Sequence, residues 1–190
     1  ILCVGLLGSH NSKKWLLNAY QQAKSEFNRP ARLVLVGRDE GGAPAIVEEV
    51  SARGLDGEVL LTGEISDLEL TAWYTCSDLF VLFSQYEAFG LVFFEAMAHG
   101  VPVLTHDVGA NRELLPKGAQ VVPRYNAPAA VQWLVRLVND SCSRARLGRE
   151  AREYALSAFS WPKVADKYLR EFSKQGSGGP GWSDRTGGAG

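Results

Sequence analysis

Ser84-Gln85-Tyr86-Glu87-Ala88-Phe89-Gly90-Leu91-Val92-Phe93-Phe94-Glu95-Ala96-Met97-Ala98-His99-Gly100-Val101-Pro102-Val103 is the stretch on which the fold turns. It follows Leu79 to Phe83, a short apolar β-branched and aromatic run that reads as a buried strand. Gly90 permits a close turn, and the residues up to His99 have the composition of a helix that stops at Gly100. A further strand is expected over Val101 to Leu104. Strand, helix and strand in so short a span make a parallel crossover unit. The helix would turn its free amides and positive dipole end toward the loop that carries Glu87, an arrangement that binds anions. Apart from Glu95 the helix is almost wholly apolar, which predicts burial all round and a carboxylate in need of partners. Side chains tilt toward a helix N-terminus, so Glu95 is expected to lean back toward the anion site. A carboxylate offers only acceptors, which suits the two donors of a vicinal diol such as a ribose; the competing reading of Glu95 is a solvated or ion-paired surface residue.

Working outward, the same alternation continues. Further strands are expected at Ile1 to Val4, Arg32 to Val36, Glu58 to Thr62 and Gln120 to Val122. Trp15, Leu16, Ala19, Tyr20, Ala23 and Phe27 recur at helical spacing, Pro44 suits a first helical turn, and Ser66-Asp67-Leu68-Glu69 reads as a capping box. After the last strand the pattern is helical, with starts near Asn126, Ser143 and Ser160. This is a doubly wound α/β domain, Rossmann-like, with a parallel sheet and a helical C-terminal flank. Ligands of such sheets bind outside the carboxyl ends of the strands, so the candidate loops are Gly5 to Lys14, Gly37 to Gly42, Gly63 to Ser66, Ser84 to Gly90 and His106 to Glu113.

The folded unit is expected over residues 1 to 173. From Lys174 the chain holds seven of its 20 glycines in 17 residues, the composition of a disordered tail or linker. With 190 residues, 46 % of them apolar, the chain can bury a core without disulfides. Its three scattered cysteines form no C-x-x-C pair, which argues against zinc or a disulfide framework and for a reducing compartment such as the cytoplasm. Twenty basic against 21 acidic residues give no reason to expect nucleic acid. The longest apolar runs fall far short of the roughly 20 residues a membrane helix needs. No signal peptide is visible, and with Ile1 in place of a Met the true start of the chain is left open.

The first loop has no G-x-G-x-x-G, and Val36 runs into Gly37 and Arg38 where a nicotinamide site needs an acidic residue. It also lacks the G-x-x-x-x-G-K-[ST] of a nucleotide triphosphatase. The stretch from Glu87 to Val103 instead resembles the E-x7-E signature of the group 1 retaining glycosyltransferases, in the C-terminal donor-binding domain of their GT-B architecture. Ile1-Leu2-Cys3-Val4-Gly5 and Leu33-Val34-Leu35-Val36-Gly37 are similar to that domain's first two strands. Leu60 to Ile65 resembles the strand and loop beside the nucleobase. Gly109-Ala110-Asn111-Arg112-Glu113 is similar to the family's Gly-Gly-x-x-Glu, and Phe159-Ser160-Trp161 to its Phe-Ser-Trp.

The resemblance implies transfer of a sugar from a nucleoside diphosphate sugar to an acceptor that the sequence does not identify. Glu87 would stand beside the donor sugar and stabilise developing positive charge, while Glu95 would hold the ribose hydroxyls. The amides of Gly90, Leu91 and Val92 would hold the diphosphate as its negative charge grows. Gly37, Arg38, Glu64 and Ile65 would line the base and ribose pocket, with Gly5, Ser84 and Phe89 completing the donor site. No metal or cofactor is implied, and the expected partner is an N-terminal domain of similar size that carries the acceptor site.

Two departures stand out. Where the family places an Arg and a Lys to clamp the diphosphate, this chain has Leu6 and Asn11, so Lys13 or Lys14 would have to swing in; both otherwise read as a solvated helix face. The second is that this sequence holds no counterpart of the family's N-terminal, acceptor-binding domain. A competing function is therefore a stand-alone or degenerate nucleotide-binding module without catalysis, which Leu6 favours and the intact Glu87 and Glu95 oppose. His10, His99 and His106 read as surface or loop-satisfied residues, and Trp15, Trp73, Trp133 and Trp161 as packing residues. Arg144, Arg146, Arg149 and Arg152 would form a basic face for peripheral contact with the inner membrane surface, or, with Glu150 and Glu153, an ordinary ion-paired one.

Overall fold

The computed structural model describes residues 1–8, 12–115, 117–158 and 161–175. Six strands, β1 (Leu2–Val4), β2 (Leu33–Val36), β3 (Val59–Gly63), β4 (Phe80–Leu82), β5 (Val103–His106) and β6 (Ala119–Val122), form one sheet in the order β3-β2-β1-β4-β5-β6. Every pairing is parallel. All residues of β1, β2, β4 and β5 are buried, which is the mark of a parallel sheet covered on both faces.

The crossovers are α1 (Ser12–Ala23), α2 (Ala43–Ala52), α3 (Asp67–Cys76), α4 (Leu91–Ala98) and the single turn α5 (Asn111–Leu114), followed by α6 (Ala127–Asn139), α7 (Ser141–Ala158) and α8 (Trp161–Gln175). The capping box is present: Ser66 Oγ accepts from the Glu69 amide at 3.3 Å, and Glu69 accepts from the Ser66 amide at 2.9 Å. Asn126 caps α6 through the Ala129 amide at 3.0 Å, with Pro128 in the first turn.

The doubly wound order expected from the alternation is thus the observed one, with two adjustments. β5 begins at Val103 and runs through Thr105 and His106, two residues beyond the expected end. The turn α5 lies inside what reads as a loop. Ile1–Leu156 form one compact unit, and α8 belongs to a second, where it exposes Tyr168, Leu169 and Phe172. The helix α8 passes the expected boundary at 173 by two residues; His10, Asn11, Phe159, Ser160, the Trp161 side chain, Trp182 and the rest of the glycine-rich segment lie outside the described residues.

The chain moves outward from β1 to β3 and then crosses to β4, so the switch in direction falls between β1 and β4. Their pairing is confined to Leu2 with Phe80, whereas β1 pairs with β2 along its whole length. The crevice of a doubly wound sheet belongs at that switch.

Candidate functional site

A cleft of about 860 Å³ opens there, at the carboxyl ends of β1 and β4. Its lining takes Val4, Gly5, Leu6 and Gly8 from the end of β1, Ser12 and Lys13 from α1, Glu40 from the loop after β2, and the chain from Leu82 through Val92, Phe83 apart. A second cavity of about 420 Å³, between Ile1, Arg32, Trp73 and Asp78 at the amino ends, holds none of the expected donor-site residues.

The Glu87 loop is fixed from two sides. Ser84 Oγ donates to Glu87 Oε2 at 3.2 Å. Gly109, with φ +54, packs against the Glu87 main chain where any side chain would collide with the Glu87 carbonyl. Gly90, with φ +69, is the N-cap of α4 and offers no side chain to its amides, so the first amides of the helix face the cleft without a side-chain cap. On the other side, the loops after β1 and β2 are joined through main chain. The amides of Gly5 and Leu7 donate to the carbonyls of Val36 and Arg38, both at 2.9 Å, tying the first two loops together.

Of the expected site residues, Gly5, Lys13, Ser84, Glu87, Phe89, Gly90, Leu91 and Val92 line this cleft together. The others are placed differently. Lys14 pairs with Glu49 of α2 at 3.0 Å and leaves the lining to Lys13. Gly37 donates to Gly63 O at 3.0 Å, and Arg38 pairs with Glu40 at 2.8 Å; Glu40 first, then Glu64, raises the exposed Arg38 guanidinium above its ordinary value. Gly37, Arg38, Glu64 and Ile65 therefore gather at the ends of β2 and β3, outside the cleft lining.

The expectation of burial around α4 is corrected. Phe93, Phe94, Ala96 and Met97 are buried, but Leu91, Glu95 and His99 form an exposed row along the helix. Glu95 needs no internal counter-charge, and its carboxylate does not line the cleft: Tyr74 of α3 donates to Glu95 Oε2 at 2.8 Å. Burial and that carboxylate push the Tyr74 phenol well above the usual tyrosine range, so it stays a donor. His99 stacks on Tyr74 with ring centroids 5.4 Å apart.

His106 is also corrected. It is 1 % exposed and packs on Trp15 and Phe83 with ring centroids 4.3 and 4.5 Å away, and neither ring nitrogen has a hydrogen-bond partner among the described residues. Burial lowers its pKa to about 4, with the Arg124 charge a smaller cause. The basic face on α7 does not form as such: Arg144 donates to the carbonyls of Leu137 and Val138, Arg152 to Ala98 O, and Arg146 pairs with Glu150 at 2.8 Å.

Ser12, Glu40 and Tyr86 line the cleft although the sequence reading did not single them out. Each lies in or beside a loop already named at a strand end, and topology was the available signal; nothing in their residue types distinguished them. No group of three or more His, Cys, Asp and Glu among the described residues is placed to hold a metal, and no helix there is long and apolar enough to cross a membrane.

A doubly wound α/β domain whose crevice joins an uncapped helix N-terminus to a braced glutamate defines a class of small-molecule binding domains. Residues 1–140 match the family model described as glycosyl transferases group 1, and the chain belongs to that family. It is 28 % identical over 172 residues to alpha-D-kanosaminyltransferase of Streptomyces kanamyceticus, covering 88 % of this chain and 43 % of that protein. Sucrose-phosphate synthase of Thermosynechococcus elongatus superposes with a TM-score of 0.79 at 27 % identity, over 93 % of this chain and 45 % of that one. The fold is also that of Anabaena HepE in complex with UDP and glucose, with a TM-score of 0.75 at 22 % identity, 90 % of this chain and 48 % of that one being covered. The chain spans less than half the length of these relatives, and its sheet is the Rossmann-like domain of a GT-B glycosyltransferase.

Proposed function

We propose that this chain is the donor-binding half of a retaining glycosyltransferase that moves a sugar from a nucleoside diphosphate sugar to an acceptor. The observation that carries the reading is the meeting, in one cleft, of Glu87 and the uncapped N-terminus of α4. As the glycosidic bond breaks, negative charge grows on the leaving phosphate and positive charge on the sugar. The helix dipole and the amides of Gly90, Leu91 and Val92 stabilise the first, and the Glu87 carboxylate the second. Glu95, held by Tyr74, lies one turn along α4 from Leu91 and accepts from the ribose hydroxyls. Gly37, Arg38, Glu64 and Ile65 border the base. The HepE complex with UDP and glucose supports the choice of ligand class.

In this reading the acceptor site and an N-terminal domain lie in the part of the relatives' length that the chain does not span. Calorimetric titration of the chain with UDP, GDP and ADP and their sugar conjugates tests the donor site. One nucleotide series is expected to bind, its sugar conjugate included. A folded chain that binds none of them removes the reading.

A further inference from the structure

The cavity of about 420 Å³ at the amino ends of the strands shares no lining residue with the donor cleft. Its walls are largely apolar, with Val34 of β2, Leu60 of β3, Trp73 of α3 and Leu137 of α6, and Leu60 is 47 % exposed although it sits on a strand. Three arginines join them, Arg29 and Arg32 from the segment before β2 and Arg144 from α7. Arg144 is buried and donates to the carbonyls of Leu137 and Val138 at 2.8 and 2.6 Å. Two carboxylates line the same cavity. Glu58 is taken by Lys24 at 2.7 Å and by the Tyr20 hydroxyl at 3.3 Å. Asp78 is divided between Arg29 at 3.5 Å and Arg144 at 3.7 Å, both long for an ion pair. Arg32 has no ion pair and no side-chain hydrogen bond among the described residues. Three guanidinium groups therefore share one carboxylate, an excess of two positive charges beside an apolar wall. A solvated arginine or an exposed leucine needs no explanation singly, but here they border one concavity.

We propose that this cavity binds a small organic phosphate, its apolar body against Leu60, Trp73 and Leu137 and its phosphate among Arg29, Arg32 and Arg144. A dianion matches the excess charge, and the paired donors of a guanidinium match phosphate oxygens. Apolar walls with a few placed polar groups are the ordinary make-up of a small-ligand site. The carbonyls of α6 account for the burial of Arg144, but they account neither for the unmatched Arg32 nor for the exposed Leu60. The site lies at the opposite end of the sheet from the cleft and does not depend on the donor reading.

The test is calorimetric titration of the full chain with phenyl phosphate, benzoate and inorganic phosphate, with thermal melting to confirm folding. Phenyl phosphate is expected to bind more tightly than benzoate, which carries a single charge, and than inorganic phosphate, which has no apolar body. Arg29→Gln and Arg32→Gln, both at exposed positions, should each weaken phenyl phosphate about tenfold. Asp78→Asn removes the competing carboxylate and should strengthen it severalfold, a gain that ion pairs kept for stability alone do not produce. Leu60→Ala should weaken phenyl phosphate and leave inorganic phosphate as in the wild type. Equal phenyl phosphate affinity in the wild type, Arg32→Gln and Asp78→Asn places the anion elsewhere on the chain and overturns the assignment. A folded wild type that binds no phenyl phosphate, or binds it no better than inorganic phosphate, overturns it as well.

Discussion

The carbonyl of Glu87 lies against Gly109, in the space that a side chain at position 109 would need, so the loop after β5 is the floor on which the glutamate loop rests. With φ +54 at Gly109, a methyl group there meets both a strained backbone and the Glu87 main chain. Gly109→Ala is expected to cost about 1 to 3 kcal/mol in chemical denaturation and to weaken sugar-nucleotide binding with it. Wild-type affinity in this variant would show that the Glu87 loop needs no such support.

Glu87→Gln separates the sugar from the nucleotide. The substitution keeps shape and the Ser84 contact but removes the charge, so free nucleoside diphosphate should bind as before and the intact sugar donor about tenfold more weakly. Equal loss of both ligands in calorimetry contradicts a place beside the sugar.

Glu95→Ala is expected to weaken the nucleoside and its diphosphate together, by about tenfold, since the ribose is common to both. Tyr74→Phe, which removes the hydroxyl 2.8 Å from the carboxylate, should reproduce a part of that loss. Unchanged nucleoside affinity in Glu95→Ala would end the ribose assignment.

His106 makes the fold acid-sensitive. Its native pKa of about 4 lies below the ordinary 6.5, so the native state resists protonation that the unfolded chain accepts. Stability is fully present above about pH 6.5 and falls as the pH drops toward 4, by about 3 kcal/mol in all. Denaturant titrations at about pH 7.5 and about pH 4.5 should show most of this loss in the wild type and none of this component in His106→Phe. Parallel losses in both proteins would place the acid sensitivity elsewhere.

The sheet was legible because its strands are short apolar runs divided by turn residues, and because Ser66 and Asn126 announce their helices by side chains that cap them. β5 was misjudged at its end: the run of apolar residues stops at Leu104, yet Thr105 and His106 continue the ladder against β6, since pairing is a property of the backbone. A single turn such as α5 leaves no periodicity to read. Among the site residues, those on the loops after β1 and β4 followed from topology. Lys13 and Glu95 were named as candidates but their settings were not fixed, because each contradicts the ordinary rule for its surroundings. A lysine beside a solvated one is buried, and a carboxylate on an apolar helix is exposed. Which face of a short helix meets the core depends on neighbours distant in sequence, and only the packed chain shows it.

The exposed row Leu91, Glu95 and His99 gives α4 two independent lives. Phe93, Phe94 and Met97 bind the helix into the core and can change only with their neighbours. Of the outward three, Glu95 and His99 meet α3 at Tyr74, so an exchange there costs those contacts while leaving the packed face intact. An edge set apart from the packed face in this way can change by single substitutions while Phe93, Phe94 and Met97 keep the helix seated.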